Sequence, residues 1–212
     1  MSEEKFPHIV EGAVICARQL PVVPEISLYL MSDAIPQNAV SQSAYSRLME
    51  QPPYWAFCWG GGQALARWIL DNPESVQQRE VIDFGAGSAV AGIAAAMRGA
   101  RTVLAVDIDP DALLMARANA ALNQVSLETA DTFAAGGGQL VLAADVGYEE
   151  EGFACIVQHI EQGGRAIIAE SRLRNLHQRF PRLQLATRYQ LRTFPDLDEA
   201  PMFDEVHIYT AG

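Results

Sequence analysis

From about Glu80 onward, short apolar runs alternate with stretches whose apolar positions recur every three or four residues. Val81 to Phe84, Thr102 to Val106, Leu140 to Ala144 and Arg165 to Ala169 predict strands. Leu140 to Ala144 is apolar throughout, as a strand covered on both faces should be. Between these runs, Ala89 to Met97, Pro110 to Asn123, Phe153 to Ile160 and Arg172 to Phe180 predict helices. Asp109 can cap the second of them, with Pro110 in its first position, and Leu113, Leu114 and Ala118 follow at helical spacing. Leu183 to Thr193 and Glu205 to Thr210 alternate polar and apolar residues, with Pro195 and Pro201 between. They predict an antiparallel hairpin closing one edge of the sheet. Alternating β and α followed by such a hairpin is an α/β three-layer sandwich.

The first part of the chain has a different texture. Gln63 to Leu70 predicts a helix with Leu65, Trp68 and Ile69 on one face, ended by Asn72-Pro73. Pro52-Pro53-Tyr54-Trp55 and Trp59-Gly60-Gly61-Gly62 form an aromatic, turn-rich stretch, and the pattern before them is weak. There is too little apolar periodicity upstream for a second core. We therefore expect a single domain over 1–212, with an N-terminal helical cap over 1–78 and a Rossmann-like core over 79–212. Gly136-Gly137-Gly138 predicts a loop.

Composition narrows the functions. Half of the 212 residues are hydrophobic and the net charge is −11. Nucleic-acid affinity rests on Lys and Arg, so this balance argues against a nucleic-acid partner. It suits a small molecule or a basic protein, and serves solubility equally well. Lys5 is the one lysine in the chain. Cys16, Cys58 and Cys155 form no CxxC pair, and the histidines complete no metal cluster, so no metal is expected. Free thiols, no secretory signal and no run of about 20 apolar residues point to a cytoplasmic or organelle-matrix protein away from membranes.

The candidate chemistry begins where the first core strand meets Asp83-Phe84-Gly85-Ala86-Gly87-Ser88. A strand, a Gly-x-Gly turn and a helix place backbone N–H groups and a helix N-terminus beside a ligand. Dinucleotide sites share this pattern, and two details separate the readings. Asp83 would repel a pyrophosphate but can hydrogen-bond the ammonium of a methionine-like ligand. A dinucleotide fingerprint also wants a third glycine where Val90 stands. The second strand ends in Asp107, 24 residues after Asp83, where a carboxylate can take both ribose hydroxyls. Together these predict an S-adenosylmethionine site formed by Asp83, Gly85, Ala86, Gly87, Asp107, Ile108, Trp59 and Ala144, with Ile108 against the adenine.

Ligands of open α/β sheets lie outside the carboxyl ends of the strands. Asp145 and Tyr148, just past Ala144, stand on that edge, and so does Glu170. Methyl transfer from a sulfonium is in-line displacement by a neutral nucleophile. Neutralising a lysine at pH 7 costs about 4.6 kcal/mol, from a pKa near 10.4 and roughly 1.36 kcal/mol per unit. A carboxylate can orient the amine, and aromatic walls can exclude water around it. Asp145 suits the first role and Tyr148 the second; Trp55 and Glu170 are candidate substrate contacts. The competing reading makes Asp145 the cap of the next helix and packs Tyr148 in the core. His159 and His177 are expected on helix surfaces, and His207 in a structural place.

The chain resembles the seven-β-strand methyltransferases, and among them the lysine methyltransferases of the electron-transfer flavoprotein β subunit. The resemblance rests on Pro24-Glu25-Ile26-Ser27-Leu28, Pro53-Tyr54-Trp55-Ala56-Phe57, Gly61-Gly62-Gln63-Ala64-Leu65, the glycine turn, Asp107-Ile108-Asp109-Pro110, and Asp145 to Tyr148. It implies a protein-lysine N-methyltransferase with a D-x-x-Y motif at Asp145 and Tyr148. It also implies S-adenosylmethionine as cofactor and an electron-transfer flavoprotein or ribosomal protein as partner. Gly147 stands where the family usually has an aromatic, and Ala89 where a third glycine is common. The first departure removes one wall of the lysine channel. It leaves a small-molecule N-methyltransferase, or a binding protein without turnover, as the alternatives.

Overall fold

The computed structural model describes residues 14–32, 52–132, 138–147 and 150–212. Gly136 and Gly137 of the expected loop, and Tyr148, lie outside them. The chain opens with an antiparallel hairpin, β1 (Ile15–Gln19) and β2 (Ser27–Met31). A 3₁₀ turn (Tyr54–Ala56) and helix α1 (Gly60–Asp71) follow. The core then runs β3 (Glu80–Phe84), α2 (Val90–Met97), β4 (Thr102–Val106), α3 (Pro110–Leu122), β5 (Glu128–Ala130), β6 (Leu140–Ala144), α4 (Glu150–Glu161) and β7 (Arg165–Glu170). It ends with α5 (Leu176–Arg179), β8 (Gln184–Gln190) and β9 (Glu205–Ala211).

Seven strands form one sheet in the order β5-β4-β3-β6-β7-β9-β8. Neighbours from β5 to β7 are parallel; β9 runs antiparallel to both β7 and β8. The strand order reverses between β4 and β6 on either side of β3, which opens a crevice at the carboxyl ends of the strands. On one face, α1 and α2 pack Leu65, Ile69 and Ile93 against Leu142, Ile167 and Ile208 of the sheet. On the other, α4 and α5 bring Ile156, Ile160 and Leu176 onto Val141, Ile168 and Tyr209. β6 and β7 are buried almost throughout, whereas edge strand β8 alternates exposed and half-buried positions.

Two elements differ from the sequence expectation. The N-terminal cap contains the β1–β2 hairpin as well as a helix. Its Leu20, Ile26, Leu28 and Leu30 share the core of α1 and α2. The hairpin is held from nearly a hundred residues away, which no local pattern signals. Asn119 Oδ1 of α3 accepts the N–H of Tyr29 at 2.7 Å, and Asn123 Oδ1 accepts that of Ser27 at 3.0 Å. The helix expected over 172–180 shrinks to the four residues of α5, because Asn175 takes a left-handed φ of 57°.

Candidate functional site

A cavity of about 440 Å³ lies at the carboxyl ends of β3, β4, β6 and β7. Trp55, Trp59, Asp83, Gly85, Ala86, Gly87, Asp107, Ala144 and Asp145 all line it. Nine of the expected site residues therefore converge on one space.

The glycine turn is shaped by close approach and by backbone sign. Gly85 has φ +64°, and a Cβ there would meet Val146 Cγ1 at 2.7 Å. Gly87 has φ +49°, and its N–H donates to Asp107 Oδ2 at 2.8 Å. Only glycine takes this region without steric cost. Ala89 also has φ +60°, which explains why a third glycine suits that position. Asp107 Oδ1 accepts the N–H of Asp109 at 3.0 Å, so the carboxylate is held before any ligand arrives. Asp109 Oδ1 in turn caps α3 through Asp111 N at 2.8 Å, and the residue also lines the cavity.

Asp83 is 3% exposed beneath the turn, where Oδ2 accepts the N–H of Gly92 at 2.8 Å. Burial pushes its carboxyl up to about 7; the Gly92 N–H opposes this and the Asp107 charge adds to it. With a single described donor, this buried carboxyl has acceptor capacity left for a donor entering the cavity.

Asp145 follows β6 with a left-handed φ of 52°. Its Oδ2 accepts the N–H of Gly61 at 2.8 Å, and Oδ1 accepts both the N–H and the hydroxyl of Ser171, at 2.8 and 2.7 Å. It thereby ties the N-terminus of α1 to the ends of β6 and β7. The helix it serves is α1, 84 residues earlier in the chain, rather than the one that follows. This acceptor satisfies an N–H of the first turn of α1, which starts at Gly60, three residues before its apolar periodicity. Burial pushes the Asp145 carboxyl up, while Ser171, Gly61 and the Arg172 charge pull it down.

Two expected residues stand outside the cavity wall. Ile108 is 78% exposed at the rim beside Asp107. Glu170 is 1% exposed and its Oε1 accepts the N–H of Gly147 at 2.7 Å. Strand alternation puts Glu170 on the same side of β7 as Ile168, which packs with α4 and α5, and Glu170 does not line the cavity. Burial, then the Asp145 charge, pushes its carboxyl up to about 7. A side chain at Gly147 would require Leu173 and Glu170 to move: a Cβ would meet Leu173 Cδ1 at 2.4 Å and Glu170 Oε1 at 2.7 Å. The place of the family's aromatic is thus filled from the β7 side.

His159 is buried rather than on the helix surface. Its Nε2 lies 3.2 Å from the Arg165 carbonyl, and its ring fills the space a side chain at Gly164 would need. His207, also buried, bonds Tyr209 and Glu205. Neither lines the cavity. Sequence reasoning missed Tyr54 and Arg172, which do. Tyr54 and Phe57 pack around Trp59, with ring centroids 5.8 and 6.2 Å from it, and the Trp59 Nε1–H donates to the Tyr54 carbonyl. Arg172 lies just past a strand's carboxyl end, and that position was its one available signal. Among the described residues no three His, Cys, Asp or Glu are grouped as metal ligands, and no helix is long and apolar enough to cross a membrane.

Residues 64–146 match the family model of ribosomal protein L11 methyltransferases (PrmA). The electron transfer flavoprotein β subunit lysine methyltransferase homolog of Caenorhabditis elegans is 44% identical over 104 residues, covering 49% of this chain and 41% of that protein. The Homo sapiens electron transfer flavoprotein β subunit lysine methyltransferase is 49% identical over 74 residues, covering 35% of this chain and 28% of that one. A ribosomal protein L11 methyltransferase of Trichlorobacter lovleyi is 34% identical over 131 residues, covering 56% and 43%. The matches thus span less than half the length of these relatives. Among solved structures, a T. thermophilus 16S rRNA methyltransferase in complex with AdoMet and guanosine superposes with a TM-score of 0.56 at 13% identity, covering 92% of this chain and 50% of that one. A Thermoplasma acidophilum protein superposes with a TM-score of 0.52 at 22% identity, covering 70% and 88%. These two likenesses are of fold.

Proposed function

We propose, from the match of residues 64–146 to the ribosomal protein L11 methyltransferase family model, that this protein transfers a methyl group from S-adenosylmethionine to a lysine amine of a protein substrate. One observation carries the cofactor reading. A buried carboxyl, Asp83, and a pre-positioned carboxylate, Asp107, flank a left-handed glycine turn in a single cavity. The residues fit the cofactor's chemistry: Asp83 faces an ammonium, Asp107 a pair of ribose hydroxyls, and Gly85 and Gly87 admit close backbone approach. When bound, the cofactor supplies an electrophilic methyl on a sulfonium.

The rest is for the chain's own residues to do. Asp145 accepts three donors, and a carboxylate has about four lone-pair sites. One acceptor position remains to orient an amine N–H toward the methyl. Tyr54, Trp55 and Trp59 wall the cavity and exclude water, which disfavours the ammonium form of an incoming lysine. By the D-x-x-Y resemblance, Tyr148 is assigned an aromatic wall for the amine. The acidic chain, −11 overall, attracts a basic protein surface. The relatives named as lysine methyltransferases of a flavoprotein subunit, and those named for ribosomal protein L11, support a protein acceptor. A core shared by hairpin, α1 and sheet supports reading the chain as one folding unit. The free cysteines suit a reducing compartment such as the cytoplasm or an organelle matrix.

The test is to incubate the protein with methyl-labelled S-adenosylmethionine and a lysate, then locate the label by mass spectrometry. Label on protein lysines is the expected result. Label confined to small molecules would replace the acceptor with a metabolite amine. Tight cofactor binding with no label anywhere would leave a binding protein without turnover.

A further inference from the structure

Resting on that cofactor reading, we propose that Arg172 binds the carboxylate at the methionine end of S-adenosylmethionine. The ligand carries two positive groups, a sulfonium and an ammonium, and one carboxylate. The cavity offers the complement. Asp83, Asp107, Asp109 and Asp145 line it, and among the described lining residues Arg172 alone is cationic.

The order of these groups also fits. The cavity crosses the ends of four adjacent strands, from Asp107 after β4, past Asp83 on β3 and Asp145 after β6, to Arg172 beyond β7. Neighbouring strands lie about 4.8 Å apart, so the run spans about 14 Å. A ribose held at Asp107 leaves the methionine chain to extend past Asp83 toward Arg172. Its ammonium and carboxylate leave the same terminal carbon, so the first can turn back to Asp83 while the second turns to the guanidinium.

The guanidinium is held ready. Arg172 Nη2 donates to Glu199 Oε1 at 2.7 Å, and Cζ stands 4.3 Å from the Phe203 ring centroid and 5.9 Å from that of Trp59. Glu199 is itself bonded to the Thr193 hydroxyl. Arginine has five N–H donors in a planar fork, so a side chain anchored through one of them keeps others for a second carboxylate. The described donors to Asp145 are Gly61 and Ser171, and Arg172 is not one of them. Fork-to-carboxylate pairing is among the stronger hydrogen-bonded contacts.

The experiment is calorimetric titration of the wild type, Arg172→Lys and Arg172→Gln with S-adenosylmethionine and with its decarboxylated form. The wild type is expected to prefer the intact cofactor by tenfold or more. Arg172→Gln is expected to lose about tenfold to hundredfold for the intact cofactor and little for the decarboxylated one, with Arg172→Lys between. A general loss of structure would weaken both ligands alike, and that result overturns the assignment. So does unchanged affinity for the intact cofactor in Arg172→Gln. Unchanged cofactor affinity with reduced kcat/KM on a protein acceptor would instead place Arg172 toward an acidic residue of the substrate. A wild type that binds neither ligand sinks the cofactor reading itself, which keeps the two failures apart.

Discussion

The carboxylate of Asp145 accepts the backbone N–H of Gly61 at 2.8 Å, across 84 residues of sequence. The contact joins the start of α1 to the end of β6, beside the cavity. It depends on Gly61 having no side chain, since a Cβ there would meet Asp145 Oδ2 at 2.3 Å. Gly61→Ala should therefore push the carboxylate away from the helix terminus and destabilise the fold by about 1–3 kcal/mol, the usual cost of overpacking. Thermal melts with and without cofactor check this. Turnover is expected to fall further than stability accounts for, because the displaced carboxylate is the one assigned to orient the amine. An unaltered melting temperature with full turnover would remove the contact from consideration.

Asp107 holds the turn through Gly87 and Asp109, and is assigned the ribose. Asp107→Ala should weaken S-adenosylmethionine binding by about 2–3 kcal/mol, from the loss of charge-assisted hydrogen bonds. Equal affinities for mutant and wild type in equilibrium dialysis would refute the assignment.

Asp83 sets a pH dependence. Its carboxyl sits at about 7 in the folded protein, above its value in the unfolded chain. This group's contribution to stability is fully present below about pH 4 and is lost as pH rises toward 7; Glu170, also at about 7, acts in the same window. Ligand binding runs the other way. An ammonium prefers the ionised carboxylate, so cofactor affinity should rise as pH climbs through 7. It should fall again above about 8, where an α-amino group loses its proton. Asp83→Asn should bind more weakly and flatten the rising limb. A wild-type affinity that is constant from pH 5.5 to 7.5 would contradict this.

Asn119 connects two regions that its neighbour Asn123 does not. Its Oδ1 accepts Tyr29 N of the hairpin, and its Nδ2 donates to the Ser88 carbonyl of the glycine turn at 2.9 Å. Asn123 bonds the hairpin residue Ser27 and the Asn119 carbonyl. Both alanine variants should lower the melting temperature through lost hydrogen bonds, buried at Asn119 and part-buried at Asn123, about 1–3 kcal/mol each. Asn119→Ala should also weaken cofactor binding, while Asn123→Ala should leave it near wild type. Parallel loss of affinity in the two variants would show that the hairpin, not the asparagine, supports the turn.

Much of this protein was legible without its structure. Continuous apolar runs and 3.6-residue periodicity mark β3, β4, β6, β7 and the helices between them, because each element buries a face of fixed period. Gly85, Gly87, Asp83 and Asp107, which meet at one cavity, mark the candidate site, because their spacing is set by one strand–helix–strand unit, which is local. What escaped is what distance in sequence conceals. The hairpin rests on amides of α3, and β5, three residues long, carries too little pattern to be seen. The face Glu170 turns to, the burial of His159, the donors that claim Asp145 and the cation Arg172 at the cavity wall depend on which strand ends lie side by side. A residue's type and local spacing decide which element it joins and what chemistry it offers. Only the packed sheet decides which side chains meet, since burial, hydrogen-bond partners and local charge arise from neighbours the chain supplies from afar.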